Sequence, residues 1–186
     1  MRKVIAVELV SLDGVMEAPA EWAFSYSNDE MEEANASGMA ASDALLLGRV
    51  TYEEFAAFWP DQPGGVPMVD YINSVHKFVV STTLEEVEWN NSALIKGNVA
   101  EEIATLKRQP GKDITITGSG TLVRSLLRAD LLDELVLMVH PVVLGSGKRL
   151  FEDGEGQKGL KLVESKTFTT GVLYLTYQPA RDGAEG

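Results

Sequence analysis

Two short runs have the residue types and spacing to cradle an anion. Gly48-Arg49-Val50-Thr51 follows the apolar run Ala44–Leu47, and Gly118-Ser119-Gly120-Thr121 follows the alternating run Asp113–Thr117. Each reads as the end of a strand passing into a helix. In an open α/β sheet, ligands collect at the carboxyl ends of strands. Helix N-termini there present unpaired N–H groups and a partial positive charge. Glycine lets the backbone approach closely, and Arg49 could add a charge-assisted contact. Two such junctions in one sheet could hold the two ends of a pyrophosphate. Turn and cap chemistry accounts for the same residues. Neither junction completes the dinucleotide fingerprint, because Val123 stands where its third glycine falls. Gly145-Ser146-Gly147-Lys148 lacks the earlier glycine and the later Ser or Thr of a phosphate-binding Walker loop.

Two carboxylates stand out. Asp13 lies in Ser11-Leu12-Asp13-Gly14, where a buried strand runs into a turn. An Asx turn is the simpler reading; the alternative is a carboxylate at a pocket mouth that orients substrate or relays a proton. Glu8 interrupts the apolar run Val4–Val10. A lone buried carboxylate is costly, so it needs a strand edge, a salt bridge or a role in a pocket. The two histidines have no ligand spacing, and His140, beside Pro141, reads as a satisfied core residue. The chain has no cysteine, which excludes disulfides, thiol catalysis and Cys-ligated metals. No nucleophile elbow or zinc-helix motif occurs, and no metal site is expected. Trp22, Phe24 and Tyr26, in a loop over 15–28, either line a site or cover the core.

The elements that must position these residues follow from patterning. Strands are expected at Val4–Val10, Ala44–Leu47, Lys77–Ser81, Ala93–Lys96, Asp113–Thr117, Leu135–Val143, Leu160–Phe168 and Val172–Tyr177. Helices are expected from Glu30 to Ala41, from Thr51 to Phe58 with Thr51 and Glu54 as a capping box, up to Ser74, and from Val99 to Lys107. Leu122, Leu126 and Leu127 recur at helical spacing. Strands alternate with helices to about residue 130 and then follow one another, which predicts a mainly parallel sheet with an antiparallel edge. A hydrophobic share of 45% and a charged share of 24% are globular averages. One domain over 1–178 is expected, with a frayed tail over 179–186. The net charge of −12 repels nucleic acid and anionic lipid. No stretch reaches the roughly 18 apolar residues of a membrane span. Glu8 and Asp13 break any signal-peptide pattern. A cytoplasmic protein is expected.

Taken in order, Val10–Met16, Leu46–Glu53, Val79–Thr83, Ile116–Leu122, Asp133–Leu135 and His140–Gly147 resemble the reductase domain of the bacterial bifunctional riboflavin-biosynthesis deaminase–reductase. They also resemble its stand-alone dihydrofolate-reductase-like relatives. The resemblance runs over about 2–178. It implies an α/β, dihydrofolate-reductase-like three-layer fold with a central sheet of about eight strands. It also implies NADPH as hydride donor, with NADH not excluded, and a homodimer. The substrate would be a small pteridine- or pyrimidine-like heterocycle reduced at a C=N or C=O carbon. By position, Gly48, Arg49 and Thr51 match the phosphate-binding helix start. Ser81, Thr82 and Thr83 match the turn at the adenosine ribose and 2′-phosphate. Gly118, Ser119, Gly120, Thr121 and Leu122 match the glycine loop. Asp13 and Gly14 match the loop over nicotinamide and substrate. The sequence departs from the family in two respects. Ser81 to Glu86 contains no Arg or Lys, leaving Arg49 and Lys77 as the nearby cations. The deaminase half, whose zinc needs cysteines, is missing. Asp29 and Glu30 fall near the place of the acidic residue that protonates pterin in dihydrofolate reductases. The alternative reading is an inactive nucleotide-binding or ligand-sensing dimer, and a third is a scaffold without cofactor.

Overall fold

In a computed structural model, described over residues 1–180, eight strands form one sheet in the order β4-β3-β2-β5-β1-β6-β8-β7. They are β1 (Val4–Val10), β2 (Ser42–Gly48), β3 (His76–Val80), β4 (Ser92–Ile95), β5 (Asp113–Ile116), β6 (Glu134–Val139), β7 (Leu160–Thr167) and β8 (Leu173–Pro179). The first six pair in parallel, while β8 runs antiparallel to both β6 and β7. The helices are α1 (Pro19–Trp22), α2 (Asp29–Ala41), α3 (Arg49–Phe58), α4 (Pro67–Ser74), α5 (Val99–Arg108) and α6 (Gly120–Arg128).

Both faces of the sheet are covered. Val4, Ala6, Leu46, Ile114 and Ile116 pack with Ile103 of α5 and Leu126 of α6 on one face. Leu45, Leu47 and Val79 pack with Tyr52 of α3 and Val75 on the other. Met31 of α2 closes a smaller cluster over Met138, Phe168 and Val172. Each large side chain buried this way contributes about 1.5–3 kcal/mol.

Several boundaries differ from expectation for local reasons. Helix α3 starts at Arg49 with Gly48 as its N-cap, so Thr51 lies inside the first turn and no capping box forms. Strand β6 stops at Val139 rather than Val143, because Pro141 has no N–H to continue the ladder; the His140 N–H still reaches Val10 O at 2.8 Å. Pro179 is not frayed. It pairs with Leu160, and the Ala180 N–H bonds Gly159 O at 2.9 Å. The rest of the expected tail, 181–186, lies outside the described residues. Among the described residues, no helix is long and apolar enough to cross a membrane.

Candidate functional site

Strand β5 lies between β2 and β1, although two strands and three helices separate it from β2 in sequence. Helix α3 leaves β2 toward β3, while α6 leaves the adjacent β5 toward β6. The two helices pack on opposite faces of the sheet. Adjacent parallel strands whose connections diverge this way open a crevice at their carboxyl ends. The two glycine junctions meet there. A Cβ on Gly48 would sit 2.7 Å from Ser119 Cβ, and one on Gly118 would sit 2.8 Å from Thr51 Oγ1. Gly118 (φ +72°) and Ser119 (φ +64°) are both left-handed, so the chain turns sharply into the N-terminus of α6. The Ser119 side chain makes no cap, which leaves that end to its backbone N–H groups.

The other expected residues fall at the ends of the neighbouring strands. Ser81, buried at the end of β3, accepts the N–H groups of Thr83 (3.2 Å) and Leu84 (3.0 Å) on its hydroxyl, while Thr82 and Thr83 are exposed. Arg49 is half-exposed and pairs with Glu53 at 3.0 Å. Thr121 is exposed and accepts from Arg124 at 3.3 Å. The Leu122 side chain is in the core, so only its backbone faces the loop. Gly14 (φ +82°) accepts the Leu150 N–H on its carbonyl. The carboxyl ends of β3, β2, β5 and β1, four consecutive strands, thus gather the whole set. Lys77 does not join it. Its Nζ is buried at the opposite end of β3, bonded to Val75 O (2.9 Å), Asn90 O (3.2 Å) and Asn73 O (3.4 Å), 4.2 Å from the Trp89 ring centre.

The two carboxylates occupy opposite kinds of environment. Asp13 accepts from Ser11 Oγ (2.6 Å), Gly145 N (2.9 Å) and Leu144 N (3.1 Å). The Ser11 hydroxyl and these two amides hold its carboxyl down at about 2. It is therefore ionised at neutral pH and clasps the 144–145 turn. Glu8 is 2% exposed in the central strand β1. Its Oε2 accepts the Gly118 N–H at 3.2 Å and its Oε1 has no partner. Burial pushes this carboxyl up to about 8, against the lowering effect of the Gly118 N–H. It is not on an edge strand, and among the described residues no salt bridge reaches it. Glu30 is engaged too: Thr169 N (2.7 Å), Thr169 Oγ1 (2.7 Å) and Asn28 (2.8 Å) all donate to it, and they lower its carboxyl. Asp29 is exposed in the first turn of α2.

His140 is not the satisfied core residue expected. It is fully buried with Nδ1 2.8 Å from Met138 O, so Nδ1 carries the hydrogen and Nε2 is left without a partner. Burial lowers its pKa and keeps it neutral. The rings of Trp22 and Tyr26 meet it edge-on at 5.3 and 5.6 Å. Trp22 and Tyr26 therefore cover the end of β6. A histidine next to a proline at a strand end was the available signal. No group of three acidic, histidine or cysteine side chains fit for a metal occurs among the described residues.

The topology defines a mainly parallel α/β protein with a dihydrofolate-reductase-like architecture and a switch point between β2 and β5. Residues 2–174 match the RibD C-terminal domain, and the chain belongs to that family. It is 31% identical over 182 residues to the uncharacterized protein YyaP of Bacillus subtilis (strain 168), covering 95% of this chain and 94% of that one. It is similar to a solved structure from Shewanella sp. PV-4, provisionally assigned to riboflavin biosynthesis. There the TM-score is 0.78 and the identity 26%, over 96% of this chain and 99% of the other. Dihydrofolate reductase from Enterococcus faecalis, solved with NADP(H), shares the fold at a TM-score of 0.61. Its identity is 14%, over 96% of this chain and 97% of that one.

Proposed function

We propose that the protein is an NAD(P)H-dependent reductase that passes a hydride to a C=N or C=O carbon of a small pteridine- or pyrimidine-like heterocycle. The observation that carries this reading is the row of turns across β3, β2 and β5 at the switch point, with two glycines that leave no room for a Cβ. Membership of the RibD C-terminal domain family supports it. In this reading, Gly48, Arg49, Thr51 and the N–H groups of Ser119, Gly120 and Thr121 bind the phosphates, while Gly118, tied to Glu8, and Leu122, tied to Ser119 O, shape the loop. Ser81, Thr82 and Thr83 meet the adenosine ribose. Asp13 and Gly14 shape the loop over the nicotinamide. The bound nicotinamide supplies the hydride, and the chain supplies orientation and electrostatics. NADPH is preferred, with Arg49 as the cation at the junction. The working form is a cytoplasmic homodimer, and the net charge of −12 argues against a nucleic-acid partner.

One observation favours a ligand-sensing dimer as the second reading: Asp13 and Glu30 are both committed to backbone amides and neither is free to pass a proton. Turnover separates the two. The first experiment is a fluorescence titration with NADPH and NADH, followed by a screen of pteridines and pyrimidines for NADPH consumption. Arg49→Ala should weaken NADPH binding about tenfold or more, the worth of one charge-assisted contact. The exposed Glu53 pair it also loses is worth about 0.3–0.5 kcal/mol, so stability should barely move. Failure of both cofactors to bind at about millimolar concentration would sink the reductase reading.

A further inference from the structure

The ladder between β1 and β5 closes early. Their register runs from Val4–Ile114 to Ala6–Ile116, whereas β1 stays paired with β6 as far as Val10–Val139. Beyond Ala6 the next residue on the same face of β1 is Glu8. Its carboxylate takes the Gly118 N–H, so a side chain holds the glycine loop where the backbone ladder has ended. Among the described residues, no cation pairs with it. Arg124 of α6 is engaged by Glu152 (3.3 Å), Glu155 (2.9 Å) and Leu150 O (2.8 Å). Arg49 of α3 pairs with Glu53, and Asp13 beyond β1 is spent on the 144–145 turn. No ion pair reaches Glu8 among the described residues, and Oε1 is buried without a partner. A charge so placed is strongly disfavoured, so the group keeps its proton. An ionised Glu8 would also stand directly beneath the loop that meets the phosphates, in a medium that screens poorly.

We propose that Glu8 is a positioning residue of the dinucleotide site, holding the glycine loop through Gly118 and carrying the proton that lets an anionic cofactor bind above it. The inference rests on the cofactor reading given above. It makes cofactor binding and proton occupancy at Glu8 a single linked event, and it gives the one acid of strand β1 a use.

The test is the NADPH affinity of the full chain and of Glu8→Gln from about pH 7 to about pH 9.5. Calorimetry in two buffers of different ionisation heat counts the protons taken up. Wild-type affinity should fall by up to about tenfold per pH unit once Glu8 ionises in the free protein, with net proton uptake on binding. Glu8→Gln keeps an acceptor for the Gly118 N–H and does not titrate, so its profile should be flat. Equal slopes in the two proteins, or a flat wild-type profile, overturn the inference while leaving the reductase reading intact. Absence of NADPH binding at any pH defeats both. Should Glu8→Gln fail to fold, the wild-type proton count decides alone: uptake that grows with pH across this range supports the inference, and binding without uptake overturns it.

Discussion

Gly48→Ala tests whether the two junctions act as one cradle. Gly48 has φ −76° and ψ 164°, which any residue adopts, so the substitution carries no backbone penalty. Its whole effect comes from contact. The new Cβ would lie 2.7 Å from Ser119 Cβ and closer still to the hydroxyl. Carbon atoms settle at about 3.5–4.0 Å, so the junctions must part by roughly 1 Å. Overpacking of this kind costs about 1–3 kcal/mol. Ser119→Gly removes the opposing atoms at a position (φ +64°) that suits glycine and where the serine makes no cap. Alone it should be neutral to mildly stabilising: relief of a left-handed residue, about 1–2 kcal/mol, is partly offset by about 0.5–1 kcal/mol of added chain entropy. In the double variant most of the cost should disappear, giving a coupling energy of about 1–2 kcal/mol. Urea midpoints at constant m-value measure stability, and NADPH titration of the same four proteins should show the same rescue. If Gly48→Ala is equally destabilising with and without Ser119→Gly, the two junctions are not in contact and the cradle argument is wrong.

The remaining predictions concern the charged residues. Asp13 has its carboxyl held at about 2 in the folded protein, against about 3.9 in an unfolded chain. A lowered folded value contributes stability that is full above about pH 4 and is lost as pH falls through about 2. The stability gap between wild type and Asp13→Ala should therefore shrink across that window, and the Leu144 and Gly145 amides should exchange faster in the variant. A gap independent of pH would show that the carboxylate does not hold the turn. Lys77→Met should strand the carbonyls of Asn73, Val75 and Asn90, at about 1–3 kcal/mol. Its NADPH affinity should match wild type, and a marked loss would return Lys77 to the cofactor site.

What the sequence disclosed and what it withheld divide along the range of the interactions. A strand that ends in glycine and opens a helix is a local pattern, so Gly48 and Gly118 were placed correctly at strand ends. The consecutive strands after residue 130 likewise forecast the antiparallel edge of β6, β8 and β7. Lys77 misled because it stands only four positions before Ser81. A strand advances about 3.3 Å per residue, which puts the two roughly 13 Å apart at opposite ends of β3. Thr51 and Glu54 fit a capping box, but the spacing could not show that Gly48 already caps the helix. Asp13 was legible as a turn residue, yet the amides that hold it come from Leu144 and Gly145, far along the chain. Glu8 is the most instructive case. An acid among Val4, Ile5, Ala6, Val7, Leu9 and Val10 was visible as an anomaly. Its partner, Gly118, lies 110 positions away, and only the insertion of β5 between β2 and β1 brings them together. The ladder that stops at Ala6–Ile116 explains the contact: where backbone pairing ends, a side chain holds the loop, and under the proposed reading a buried side chain beneath an anion must be neutral to do so.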